Sequence, residues 1–254
     1  MRMIKSFFIA FSIYSKIPVP QFEWKEEDMK YMLCFFPWVG AVIGGVLYLW
    51  NYTCRMCGVG ELCYCVVGAA IPVLITGGIH VDGFIDTMDA FHSYQPKEKK
   101  LEILKDAHIG AFAVIVFAVY GLLYLGAFSE IRDEKLFRMV CGIFFLARCL
   151  SGISVVSFPS AKKDGMLYLF ANNAERRIVK GSLFLQCGLG IVFLLFQAGY
   201  AAIFVILMAF LTFGYYYYRS KKELGGITGD TAGYFVLICE CGALIVTAVI
   251  NLLG

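Results

Sequence analysis

Asp82, Asp86 and Asp89 are the residues whose spacing most demands a chemical explanation. They stand at i, i+4 and i+7. On a helix turning about 100° per residue their directions fall within about 60° of one another. Three like charges on one stripe repel, so the pattern does not serve stability. A divalent cation resolves the repulsion, and an all-oxygen donor set suits Mg²⁺ or Mn²⁺. Mg²⁺ usually accepts one or two carboxylates and completes its coordination with water and phosphate, which makes the stripe a site for phosphate chemistry. The bland alternative is a solvated acidic helix face, but no basic residue interrupts the stripe to favour it.

The neighbouring residues fit the same chemistry. His80, His92 and His108 share the polar stretch 80–108 with the three aspartates and with Glu98, Glu102 and Asp106. Gly77 and Gly78 precede His80 and allow a bend or a close backbone approach. On an unbroken helix His80 faces away from the carboxylates; a bend at the glycines could bring it back as a base or as a group supporting one. Two apolar runs open on glycine-containing segments, Lys105-Asp106-Ala107-His108-Ile109-Gly110 and Gly225-Gly226-Ile227-Thr228-Gly229-Asp230. A helix start offers free N–H groups to an anion. Lys105 adds a positive charge and Asp230 an acid. Read singly, each segment is an ordinary helix cap beside a membrane; together they outline a pocket for a phosphorylated ligand.

The elements that must position these groups are membrane helices. Of 254 residues, 60% are hydrophobic and 16% charged, and the mean hydropathy is +0.74. A soluble domain carries roughly 25% charged residues, so lipid has to be the solvent. The net charge of +3 is too small and scattered for a nucleic-acid binder. Apolar runs recur at 33–52, 61–79, 109–128, 136–156, 181–197, 200–218 and 232–252. The expected fold is therefore all-α: a polytopic bundle of about seven transmembrane helices in one domain, 1–254, with motif loops near 80–108 and 219–231. The stretch 7–14 is too short to span and lacks a signal-peptidase site. It reads as an amphipathic helix on the membrane surface, or else as a buried re-entrant segment. Seven spans put seventeen of the 22 Lys and Arg residues on one side and four on the other, with Arg148 inside a span. The positive-inside rule then predicts a cell-membrane protein with a cytoplasmic N-terminus and cytoplasmic motif loops.

Arg148 and Glu240 lie inside spans, where each charge costs about 2.5–3.5 kcal/mol. Counted along their helices, both lie about 12 Å below the cytoplasmic interface, so they can form a buried pair or line a shared polar cavity. Cys54, Cys57, Cys63 and Cys65 are spaced like zinc ligands, but the second pair sits in an apolar run; a 54–57 disulfide is the other reading.

The run Gly77-Gly78-Ile79-His80-Val81-Asp82-Gly83-Phe84-Ile85-Asp86-Thr87-Met88-Asp89-Ala90 resembles the signature of the cobalamin synthase family, the adenosylcobinamide-GDP ribazoletransferases. Lys105 to Ala113 resembles a second family element, with Ala113 in place of glycine and His108 where an arginine is common. Gly225 to Asp230 with Glu240 resembles a third, and Lys16-Ile17-Pro18 and Arg148 also fit. The resemblance runs from about residue 5 to 240. It implies an Mg²⁺-dependent transfer in which a hydroxyl of α-ribazole, or of its 5′-phosphate, attacks the cobinamide-linked phosphate of adenosylcobinamide-GDP and GMP leaves. Asp82, Asp86 and Asp89 would hold the metal, Asp89 or His80 would take the proton, and Lys105 and Arg148 would balance phosphate charge. Gly77, Gly78, Asp106, His108, Gly229, Asp230 and Glu240 would line the substrate. Membrane lipid is an expected partner, and a homo-oligomer is compatible with the sequence. Two other readings stay open. A CDP-alcohol phosphatidyltransferase also uses a carboxylate helix, but its Ala-Arg and upstream Asp are missing here. A transporter could line its path with Arg148 and Glu240, but no internal repeat accompanies them.

Overall fold

The computed structural model describes residues 2–20 and 22–253, and among them the chain is helical throughout apart from turns and one isolated parallel bridge, Ser160 to Ile227. An amphipathic helix α1 (Arg2–Tyr14) leads through two 3-10 turns into α2 (Phe36–Cys57) and α3 (Glu61–Thr76). Then come α4 (Ile79–His92), the short α5 (Lys97–Ile103), α6 (Ala111–Ser129) and α7 (Glu134–Ser157). The chain closes with the short α8 (Met166–Asn173), α9 (Arg176–Ala198), α10 (Tyr200–Leu224) and α11 (Gly229–Leu253).

Five of these, α6, α7, α9, α10 and α11, are each long and apolar enough to cross a membrane. Two bent pairs raise the number to seven: the 3-10 turns with α2, and α3 with α4. The chain is a multi-pass membrane protein. Helix α7 is its axis, with 89% of its apolar window buried against 22% for α6. Gly40 and Gly44 of α2 lie directly on the α7 backbone at Phe144 and Cys141, where a Cβ would overlap the carbonyls. That is the small-residue contact by which helices approach closely in lipid, where burial of apolar surface supplies no drive.

Several boundaries differ from the hydropathy reading. Helix α9 begins five residues before 181, and α10 runs six residues beyond 218. Apolarity ends where hydrocarbon ends, but the backbone hydrogen bonding continues through Arg176, Arg177, Lys221 and Lys222, which are good helix formers in water. The motif region 80–108 is largely helical rather than a loop. Helix α1 exists as expected and is docked rather than loose: Ile9, Ala10 and Phe11 are buried in the bundle, and Ser6 Oγ donates to the Asp28 carbonyl at 2.6 Å. All ten cysteines are free, so the 54–57 disulfide is absent. Zinc fails too, because no three His, Cys, Asp or Glu side chains among the described residues enclose a metal.

Candidate active site

The site starts from a bend. Gly77 (φ +64°) caps α3 by donating its N–H to Val73, and Gly78 (φ +80°) follows; a β-carbon would strain both. They turn the chain by 92°, so α4 runs across the end of the bundle instead of continuing α3. The N-terminal segment braces this corner. Lys16 N–H donates to the Ile75 carbonyl at 2.7 Å, and the Lys16 stem lies against Gly77 where a Cβ would be. This contact gives the Lys16-Ile17-Pro18 motif its place beside the carboxylate helix.

Helix α4 presents Asp82, Asp86 and Asp89 on its less buried face, while Gly83, Phe84, Thr87 and Met88 face the core. Gly83 and Gly233 let α4 settle on the start of α11. A Cβ at Gly83 would stand 2.8 Å from the Asp230 carbonyl oxygen and 2.9 Å from its Cα, and one at Gly233 would stand 3.2 Å from the His80 Cα. The close approach brings Asp230 to the stripe. Thr228 and Thr231 cap α11 reciprocally, Thr231 N–H donating to Thr228 Oγ1 at 3.2 Å and Thr228 N–H to Thr231 Oγ1 at 2.8 Å. Thr228 Oγ1 also donates to the Asp230 carboxylate at 3.2 Å, which orients it. From the other side, the segment before α6 reaches Asp89: a Cβ at Gly110 would overlap the Asp89 carboxylate. The three glycine-bearing motifs therefore meet at one place.

The electrostatics follow from that convergence. Partial burial, with the charges of Asp82, Asp230 and Asp89 behind it, pushes the Asp86 carboxyl up to about 6. Among the described residues, Lys162 is the one cation seen acting on both Asp86 and Asp230; burial pulls its ammonium below the usual lysine range, the carboxylates resisting. Sequence reasoning missed Lys162. It is delivered by a tertiary contact: Ala161 N–H donates to Ile227 O at 2.8 Å and Ile227 N–H to Pro159 O at 2.9 Å, across a Gly226 with no room for a side chain. Lys105 is exposed and pairs with Asp164 at 3.2 Å. Asp106 and His108 are exposed and bonded to each other at 2.7 Å.

The bend does not bring His80 round to the stripe. The bend precedes α4, so His80 keeps its helical angle to Asp82 and is buried where Asp82 is exposed. Its ring does border a pocket of about 190 Å³ that Asp82, Gly229 and Asp230 also line, walled by Tyr14, Phe36 and Phe170. Arg148 and Glu240 form the buried pair that their depths allowed: Arg148 Nη1 donates to Glu240 Oε1 at 2.6 Å and to the Phe144 carbonyl at 2.9 Å. Both line a second cavity that His80 also borders.

A carboxylate stripe, a facing carboxylate, a lysine and two capped or uncapped helix starts can hold a polyphosphate through a divalent cation. The donor set is all oxygen and comes from two helices, which fits Mg²⁺. No three of these groups enclose an ion by themselves, as expected where water and phosphate complete the coordination.

Comparison with known proteins points to the family that the motifs resemble. The family model described as cobalamin-5-phosphate synthase matches residues 6–248. A protein named adenosylcobinamide-GDP ribazoletransferase from Lachnoclostridium phytofermentans is 43% identical over 241 residues, covering 94% of this chain and 92% of its own. Proteins of the same name from Desulfitobacterium hafniense (30% identical; 94% and 95% covered) and Clostridium perfringens (28%; 97% and 98%) also match over nearly their whole lengths. No solved structure matches the chain.

Proposed function

The chain belongs to the cobalamin-5-phosphate synthase family, and on that footing we propose that it joins adenosylcobinamide-GDP to α-ribazole or α-ribazole 5′-phosphate. A ribazole hydroxyl oxygen forms a bond to the cobinamide-linked phosphorus, the bond from that phosphorus to the bridging oxygen of the diphosphate breaks, and GMP departs with that oxygen. The observation that carries this reading is the convergence of Asp82, Asp89, Asp230 and Lys162 on Asp86, with Asp82 and Asp230 lining one pocket.

Asp82, Asp86 and Asp230 would hold Mg²⁺, with Asp89 beside them. Bound there, Mg²⁺ would neutralise the diphosphate and the charge that develops as the bond breaks. Lys162 places a positive charge against the same carboxylates, and Lys105 supplies a second, exposed one. Asp89, held against the Gly110 backbone, is placed to take the hydroxyl proton. His80 and Gly229 line the pocket, Gly77 and Gly78 set the direction of α4, and Asp106 and His108, exposed just before Gly110, would meet the substrate from outside. The cell membrane is the proposed location, with the N-terminus and α4 at the cytoplasmic face. The support is the 17-to-4 division of Lys and Arg.

Purified protein mixed with adenosylcobinamide-GDP, α-ribazole and Mg²⁺ should release GMP, and chelation should stop it. Release of CMP from a CDP-alcohol instead, or of no nucleotide, overturns the reading.

A further inference from the structure

The second cavity, of about 150 Å³, has a use that the carboxylates do not explain. Its outer wall is apolar: Ala69, Pro72 and Val73 of α3 face Phe117, Tyr120 and Gly121 of α6. Its inner end is polar, formed by His80, Tyr124 and the Arg148–Glu240 pair. These four side chains are 6%, 5%, 1% and 3% exposed. Yet His80 Nε2, Tyr124 Oη and Arg148 Nε have no hydrogen-bond partner. Buried polar atoms are costly to leave unpaired, and three of them around one cavity mark it as built for a ligand.

We propose that this cavity receives the heteroaromatic base of the ribazole substrate, its ring nitrogen turned toward His80 and Tyr124. The inference rests on the reaction proposed above. A space of about 150 Å³ holds one aromatic ring, and the side open between α3 and α6 leaves room for a fused second ring. The polar end carries no net charge, because Arg148 and Glu240 neutralise each other at 2.6 Å, so it suits a neutral base. The ribose-bearing benzimidazole ring offers one unsubstituted nitrogen lone pair, which the Tyr124 O–H or the His80 Nε2–H can satisfy. Guanine, the other base in the reaction, carries polar groups around its rim; against Pro72 and Phe117 these would be buried unpaired. His80 borders both spaces, so a base in this cavity would lie next to the pocket that Asp82 and Asp230 line.

Gly121 permits a clean test, because a Cβ there meets nothing within 4 Å. Gly121→Leu adds bulk to the lining of the cavity from a position where the Cβ itself meets no neighbour. Gly126→Leu on the same helix also enters open space but does not line the cavity. The protein in nanodiscs is dialysed to equilibrium against benzimidazole, with empty nanodiscs as background. Wild type and Gly126→Leu should bind saturably, and Gly121→Leu about tenfold more weakly. In steady-state assays Gly121→Leu should raise the KM for α-ribazole by about the same factor while leaving that for adenosylcobinamide-GDP within about twofold. If Gly121→Leu matches Gly126→Leu in both readouts, the cavity holds only water or an acyl chain and the proposal falls. Failure of the wild type to form GMP while still binding benzimidazole would instead strike the proposed reaction.

Discussion

At the scale of single residues, Asp86 is the most exposed to test. Its carboxyl is raised from 3.8 to about 6, chiefly by partial burial and then by Asp82 and Asp230. The metal-free fold therefore binds more protons than the unfolded chain between those two values, and its stability falls as pH rises through about 6. Asp86→Asn removes that penalty. Without divalent metal, the variant should melt above wild type at pH 7.5, the gap closing as pH falls toward about 4; with Mg²⁺ present, its GMP release should be lower than wild type by about a hundredfold or more. A variant that is destabilised at pH 7.5, or that keeps its turnover, contradicts the placement of Asp86 among like charges. The stripe itself was legible in the sequence because i, i+4, i+7 is a local relation fixed by helix geometry. Lys162 was not. It is one lysine in an unremarkable loop, and only the seating of Gly226 on Pro159 to Ala161 carries it to Asp230.

At the scale of elements, function depends on how closely α4 sits on α11. Gly83→Ala should favour α4 as an isolated helix by about 1 kcal/mol. In the protein its methyl group would meet the Asp230 backbone at 2.8–2.9 Å, and backbone cannot swing aside as a side-chain tip can. The two helices must part, and Asp82 and Asp86 then move from Asp230. We expect unchanged helical content by circular dichroism and a fall in kcat of about tenfold or more, since small misplacements are costly in a positioned site. Normal kcat would mean that the α4–α11 spacing is not what aligns the carboxylates. The elements show again what a sequence conveys. The Gly77-Gly78 break and the apolar spans announce themselves through composition. The 92° angle of the break does not, because it is set by what α4 packs against, and neither does the cavity between α3 and α6, whose walls come from residues about fifty apart in the chain.

At the scale of the whole molecule, one ion pair and one polarity organise the bundle. Arg148 on α7 and Glu240 on α11 are 1% and 3% exposed. Removing either partner leaves a buried charge at a cost of about 3–5 kcal/mol, whereas replacing both with apolar groups is often nearly neutral. Glu240→Gln should therefore lower the melting temperature in detergent, and the double variant Arg148→Met with Glu240→Leu should recover most of it. A double variant no better than the single would mean that the pair is tied to more than itself. The polarity of the bundle follows from α3, whose sixteen residues separate two ends by about 24 Å. One end carries the Gly77-Gly78 bend and the carboxylates. The other carries Cys57 and Cys63, the two exposed thiols of the chain, near Arg55, Glu61 and Arg132. With the basic surface in the cytoplasm, Cys57 and Cys63 face outward. A membrane-impermeant maleimide should label intact cells at these two positions, and Cys57→Ser with Cys63→Ser should abolish the signal. A cysteine introduced by Lys163→Cys in that double-serine background, beside Lys162, should be labelled only after permeabilisation. The opposite pattern would put the carboxylates outside the cell and invert the proposed orientation.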